Sequence, residues 1–314
     1  MITLDGVSYT ERQDFDFDEY YGMLRAAEGV PSTAHITAMQ FCEQYAGYVD
    51  AGYTDVLHVT INSTGSATYD AAVMAQGLLR EERPEHKLRI HLVDSHTYSF
   101  VYGKPVCEAA RKLKNGAEVE YVVAELEKEF ACQEIVLSAF SLKQMKKSGR
   151  ISAAAAFAGE LLGLRPVITL IDGVTKVESK VRGDAAVPAA MIRLVRQRMA
   201  GPDEDFEYML GTTDIENVKD LEKLCRKEFG HGPAEVFKLG AAAIPAPTPW
   251  PLPTEAPPGA DRNRERAFPG LQRPGFFVFV QSTAFLKRAF VRKKTIKRKK
   301  QPDIWKNGIL GGGN

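Results

Sequence analysis

Residues 55–75 read DVLHVTINSTGSATYDAAVMA, and the order of residue types in this stretch decides the class of fold. Asp55–Ile61 alternates loosely and places β-branched side chains at Val56, Val59, Thr60 and Ile61, which favour a strand. Asn62–Ser66 contains no bulky side chain; Gly65 can adopt a positive φ, and Ser66 or a neighbour can cap a helix. From Thr68 the pattern turns helical, with Tyr69, Ala72, Val73 and Gln76 three and four residues apart. A strand ending in a polar turn at a helix N-terminus presents unpaired backbone N–H groups beside hydroxyls, a setting that suits a carboxylate or a phosphate. The same residue types also serve an ordinary strand-to-helix turn with a serine cap.

On the N-terminal side, Met1–Leu4 and Val7–Tyr9 read as short strands joined by an Asp5-Gly6 turn. Asp16–Glu19 and Thr37–Gln40 fit capping boxes that open two helices, and Gly52 suits the end of the second. On the C-terminal side, Leu88–Val93 is an apolar strand ending in Asp94-Ser95-His96-Thr97. Helices over about 100–114 and 117–130 and a strand over Glu134–Ala139 follow. Strands alternating with helices argue for a parallel α/β sheet whose ligand groups sit at the C-terminal strand ends, here Asn62–Ser66 and Asp94–Thr97.

A chain of 314 residues, 44% apolar and nearly charge-balanced, can bury one large core or two joined ones. No run of 18 apolar residues exists, and the N-terminus lacks a basic region ahead of an apolar core, so a cytoplasmic protein is expected. Four widely spaced cysteines read as reduced thiols, and six scattered histidines without a close pair argue against a metal site. Charge is unevenly spread. Residues 287–314 hold ten Lys/Arg against one acid, a net of +9, which leaves the preceding residues at −8.

Several stretches carry a resemblance. Ile61-Asn62-Ser63-Thr64-Gly65-Ser66-Ala67-Thr68-Tyr69 is similar to the Ile-Ser-Ser-x-Leu-Ser-Gly-Thr-Tyr motif of the DegV family, bacterial fatty-acid-binding proteins, with departures at Asn62, Gly65 and Ala67. Pro31–Thr37 resembles the family's Pro-x-Thr-Ser-Gln-Pro-Ser loop at Thr33, though not at Ala34, His35 and Ile36. Asp94-Ser95 resembles its Asp-Ser turn, Lys146–Ser152 its Lys-Gly-Gly-Arg-Ile-Ser segment between lobes, and Leu164–Leu170, Asp172-Gly173 and Val181-Arg182-Gly183 its later landmarks. The order holds over about residues 1–240.

The resemblance implies a two-lobed α/β fold: a parallel α/β N-terminal lobe over 1–145 and a second α/β lobe over 146–244. It implies a fatty-acid carrier, not an enzyme, that buries an acyl chain between lobes without a cofactor. The carboxylate would sit at Thr33 and Ser63 and be presented to a separate fatty-acid kinase. Ser66, Arg150 and Arg182 are further ligand- or partner-facing candidates, and the helix Ala153–Leu162 could line the lipid tunnel. Two family features are missing from these residues: a first strand with an Asp-Ser-Thr-Ala-Asp-like loop, and a C-terminal Gly-Pro-Gly segment.

Nine of the 17 prolines fall between Pro245 and Pro274, so 245–314 reads as a Pro-rich, then basic, disordered tail that the fold can dispense with, although Phe276–Val280 could form a strand without the loop expected before it. Other functions remain open. The basic run Lys287–Lys300 suits nucleic-acid or anionic-surface binding, and the divergent ends suit a protein without a competent lipid site. A hydrolase using Ser63 or Ser66 is disfavoured, because no G-x-S-x-G elbow is present.

Overall fold

The computed structural model describes residues 1–11, 13–29, 31–138, 163–198, 206–213, 215–240 and 276–282. Strand β1 (Ile2–Leu4) pairs antiparallel with β2 (Val7–Tyr9) and with β3 (Ser32–Thr33). Asp5 and Gly6 both take positive φ in the β1–β2 turn, as the tightest hairpins require. Helix α1 (Phe17–Ala26) opens with the expected capping box: Asp16 accepts from Asp18 N and Glu19 N, and Glu19 accepts from Asp16 N. Its apolar face, Tyr20 and Leu24, packs with Ile2, Leu4 and Phe15.

The 55–75 stretch folds as its pattern predicts. Strand β4 (Asp55–Thr60) pairs parallel with β5 (Arg89–Asp94), and helix α3 (Thr68–Glu82) follows β4. Alternation along β4 separates two cores. Val56 faces α2 (Ala38–Asp50) and α3, whose Phe41, Tyr45, Ala72, Ala75 and Leu79 are buried. Leu57 and Val59 face α4 (Phe100–Lys114) and α5 (Val119–Phe130), packing with Val122, Leu126 and Phe130. The pair of strands is thus the middle layer of an α/β/α sandwich. Small residues at 71, 72 and 75 let α3 pack closely.

The next strand behaves differently from the parallel pairing that strand–helix alternation predicts. Strand β6 (Gln133–Ser138) joins β7 (Leu164–Ile171), β8 (Val174–Arg182), β9 (Phe206–Thr212), β10 (Glu235–Lys238) and β11 (Phe276–Ser282) in a six-stranded sheet of order β10–β9–β11–β6–β7–β8, antiparallel to both its neighbours. Strand β7 (Leu164–Ile171) and β8 (Val174–Arg182) form a hairpin whose turn, Asp172-Gly173, again has two positive φ values. Strand β9 (Phe206–Thr212) pairs parallel with β10 (Glu235–Lys238). One face of this sheet packs on α6 (Val187–Arg198) and α7 (Ile215–Phe229), burying Val136, Val167, Met191, Val195, Leu210 and Leu221. The other face buries Ile135, Leu137, Ile168, Leu170 and Met209 with Val101 and the partly buried Tyr98 and Phe100. The segment that follows β5 therefore seals the second sheet against the first sandwich.

Strand β11 (Phe276–Ser282) falls where the sequence allows a strand over Phe276–Val280. It lies between β6 and β9, antiparallel to each. The preceding prolines do not extend into FFVFVQS, whose aromatic and β-branched residues suit a central strand. Arg150, the Lys146–Ser152 segment, the helix Ala153–Leu162 and the basic run 287–300 lie outside the described residues.

Candidate ligand-binding site

Three turns converge at the C-terminal ends of β4 and β5. The first is Asn62–Ser66, the second Asp94–Ser99, and the third the β7–β8 turn at Asp172-Gly173. Backbone bonds continue the parallel ladder past the strands: Ser95 N donates to Thr60 O (3.1 Å) and Asn62 N to Thr97 O (3.0 Å). Asn62 and Ser95 are wholly buried, and Thr97 nearly so.

Asp94 organises the two loops. Its carboxylate accepts from Ser63 N (3.2 Å to Oδ1, 3.3 Å to Oδ2) and from His96 N (2.9 Å). His96 Nδ1 lies 3.2 Å from Asp94 Oδ2 and 3.9 Å from Asp172 Oδ1. Both His96 and Ser99 hold positive φ, at 53° and 59°. Left-handed conformations at non-glycine residues cost free energy and persist where surrounding bonds fix them. Here Ser95 fixes the turn from within, its Oγ lying 3.3 Å from both Thr97 N and Thr97 O.

The hairpin turn closes over the first loop. Asn62 Nδ2 donates to Tyr98 Oη (3.0 Å) and to Gly173 O (3.2 Å). Thr64 Oγ1 lies 2.8 Å from Gly173 O and 3.1 Å from Asn62 Oδ1, and its single proton can serve only one of them. Gly173 is required twice over: its φ is +75°, and a Cβ there would lie 2.5 Å from Asn62 Oδ1.

The residues singled out from the sequence separate in space. Ser63 is half-buried at the centre of the cluster, its backbone N–H engaged by Asp94 and its hydroxyl without a partner among the described residues. Thr33 lies on β3, paired with Ile2 in the small antiparallel sheet. No hydrogen bond among the described residues joins Thr33 to the Ser63 loop. Ser66 bonds locally ahead of the helix and does not occupy its cap: its Oγ accepts from Thr68 N (3.3 Å) and bonds Thr68 Oγ1 (2.8 Å), while Ala67 holds the cap position of α3 without a side-chain cap bond. Arg182 is exposed at the far end of β8, about 25 Å along the strand from the Gly173 turn at roughly 3.3 Å per residue. The sequence places Asn62–Ser66 at a ligand-bearing strand end, but it does not join Asn62 and Thr64 to Tyr98 and Gly173. The signal was the pair of departures at Asn62 and Gly65, since a side chain at 65 would collide with the Tyr98 hydroxyl.

Beneath the strand, His58 Nδ1 lies 2.5 Å from Tyr45 Oη, and burial holds His58 below the usual histidine range. The neutral imidazole therefore belongs to the α2–β4 core. A second polar cluster sits on the far face of the six-stranded sheet. Arg198, at the end of α6, places its guanidinium 3.2 Å from Glu134 Oε1 and 2.6 Å from Glu178 Oε1. Burial pushes Glu134 up to about 7, further than the Arg198 charge pulls it down. Burial also acts to raise Glu178, but bonds from Lys176 and Thr169 and the Arg198 charge hold it below its ordinary value. No group of three or more His, Cys, Asp or Glu among the described residues is arranged to hold a metal ion. No helix among them is long and apolar enough to cross a membrane.

An α/β/α sandwich sealed to a second, six-stranded sheet, with polar turns gathered at its strand ends, defines a mixed α/β protein. The family model described as "Uncharacterised protein, DegV family" matches residues 1–244, and the chain belongs to that family. A DegV domain-containing protein of Caldanaerobacter subterraneus is 29% identical over 232 residues, spanning 73% of this chain and 79% of its own. One from Staphylococcus aureus is 27% identical over 224 residues, spanning 71% and 74%. Solved structures share the fold. A stearic-acid-binding protein from Eubacterium ventriosum superposes with TM-score 0.70 at 19% identity, covering 89% of each chain. A fatty-acid-binding DegV family protein from Streptococcus agalactiae gives 0.71 at 20% identity, covering 90% of this chain and 89% of that one. A DegV family protein from Thermus thermophilus, described by its fatty-acid binding, gives 0.68 at 24% identity, with 90% and 89% covered.

Proposed function

We propose that the protein is a cytoplasmic fatty-acid carrier that buries an acyl chain between a lobe over 1–145 and a lobe over 146–244. The carboxylate is held at Ser63, with Thr33 as the second anchor, and is offered to a separate fatty-acid kinase. The protein is the carrier and not the catalyst, and needs no cofactor. The observation that supports this reading most directly is the Ser63 loop itself. Its backbone is fixed by Asp94, it is overlaid by the Gly173 turn, and its hydroxyl is left for a ligand. Family membership and three similar folds described as fatty-acid-binding point the same way. Each buried methylene contributes about 0.8 kcal/mol, so a long acyl chain needs few polar contacts to bind tightly.

Native mass spectrometry of the protein purified from cells tests the reading, with a co-purifying fatty acid as the expected result. Recovery of a nucleotide and no acyl chain would reject it. For the kinase step, the loaded protein mixed with a fatty-acid kinase and ATP should yield an acyl phosphate, trapped by hydroxylamine as the hydroxamate. A loaded protein that gives no hydroxamate while free fatty acid does would rule out the handover.

A further inference from the structure

The turn at Asp172-Gly173 and the ring of Tyr98 grip the Ser63 loop from the side of the second sheet. Tyr98 is partly buried against the core cluster that contains Val101, Ile168 and Leu170 and turns its hydroxyl toward Asn62. Asn62, wholly buried, spends one amide group on two partners from different elements, Tyr98 Oη and Gly173 O. Asn62 Oδ1 also accepts from Thr64 N (3.2 Å), which closes a small loop around Ser63. The residues either side of Ser63 are thus fastened to the second sheet, while Ser63 N is fastened to Asp94 on the first. Among the described residues nothing comparable holds the Ser63 hydroxyl. A buried network with every amide atom used fixes one arrangement of its loop.

We infer that Asn62, Thr64 and Tyr98 are positioning residues: together with the Gly173 carbonyl they form a clasp that holds the Ser63 hydroxyl in its ligand-facing place. This inference rests on the fatty-acid reading proposed above. The clasp does not itself touch the acyl carboxylate. It acts through Ser63, so its loss weakens recognition of the charged headgroup and leaves the apolar contribution of the acyl chain intact.

The test uses the full chain loaded with a labelled long-chain fatty acid and, separately, with its methyl ester. Tyr98→Phe removes one hydroxyl and keeps the ring; Thr64→Val removes the other and keeps the shape. One hydrogen bond is worth about fivefold in an equilibrium or rate. The acid is therefore expected to leave either variant about fivefold faster than wild type, well below the melting temperature, with ester release unchanged. Equal acceleration of acid and ester, or no change in acid release with only a lower melting temperature, would overturn the inference. If the wild-type protein carries no acyl chain, the fatty-acid reading fails on that result alone. The clasp is then judged by amide exchange over residues 62–66, where faster exchange in Tyr98→Phe supports it and unchanged exchange refutes it.

Discussion

Tyr98 places its hydroxyl where the side chain of residue 65 would stand, so that Gly65 and Tyr98 form a matched pair across two loops. The match explains why a glycine occupies a motif position where an apolar side chain is expected. Its φ is ordinary, so conformational freedom is not the reason; space is. Gly65→Ala should therefore destabilise the protein by about 1–3 kcal/mol through overpacking. Because the collision is chiefly with one oxygen, the cost should shrink in a Tyr98→Phe background, where only the ring carbon at 3.1 Å remains close. A double-mutant cycle in urea measures this coupling, and additive losses would dismiss the pairing.

The β7–β8 turn has less freedom still. At Gly173 both the +75° φ and the nearness of Asn62 Oδ1 oppose any side chain. Gly173→Ala should cost about 1–3 kcal/mol for the backbone strain, with the clash in addition. Chemical denaturation provides the check, and a variant as stable as wild type would mean that the turn does not pack on Asn62.

Strand β11 bears directly on whether the fold can dispense with the C-terminal region. It supplies the ladder that links β6 to β9. Ending the chain at Ile244 removes that ladder and leaves β6 and β9 with open edges in a buried sheet. The truncated protein should melt many degrees lower or lose cooperative unfolding, followed by circular dichroism. An unchanged transition would show that β9 and β10 hold without β11.

Glu134 gives the protein a specific pH dependence. Its folded value near 7 lies above the ordinary 4.5, so between these limits the folded state binds more protons than the unfolded chain. Stability from this group is therefore fully present below about pH 4.5 and falls as the pH rises to 7, by up to about 3 kcal/mol. Glu134→Gln keeps the shape and cannot ionise, while Arg198 retains Glu178 as partner. The variant should match wild type near pH 5 and exceed it at pH 8 in urea unfolding. If instead the variant loses stability at pH 8, the Arg198 pairing outweighs the burial cost.

Local signals carried most of the fold. The capping boxes at Asp16 and Thr37, the Asp5-Gly6 turn and the strand–turn–helix at 55–75 depend on neighbours within a few residues, and each formed as its pattern predicts. Pairing partners were harder to read. Residues 133–138 carry a strand pattern that would suit either sheet, and only the distant β7 and β11 decide that the strand runs antiparallel. The FFVFVQS strand was legible as a segment, but the prolines ahead of it suggested that nothing nearby could fold. In the site, Ser63 was legible from its motif, whereas Asn62, Tyr98 and Gly173 meet only in three dimensions, across 111 residues of chain between Asn62 and Gly173.

If Ser63 holds a carboxylate, Ser63→Ala should weaken fatty-acid binding and leave the fold intact, since Asp94 engages the backbone N–H and not the hydroxyl. A hydrogen bond to a charged group is worth about 1.5–3 kcal/mol, or roughly ten- to a hundredfold in affinity. The acyl chain keeps its apolar contribution, so binding should fall and not vanish. Thr33→Val tests the second anchor in the same way. Because Thr33 lies on β3 and Ser63 in the turn after β4, with no hydrogen bond between them among the described residues, a shared ligand is the coupling that the double variant tests. Losses that fail to add in the double variant would therefore place both hydroxyls on one carboxylate, and simple additivity would remove Thr33 from the site. The methyl ester supplies the control. It should bind wild type and Ser63→Ala almost equally, because it lacks the charge that the hydroxyl recognises. Equal weakening of acid and ester by Ser63→Ala would make Ser63 a support of the turn and leave the anchor to be found elsewhere.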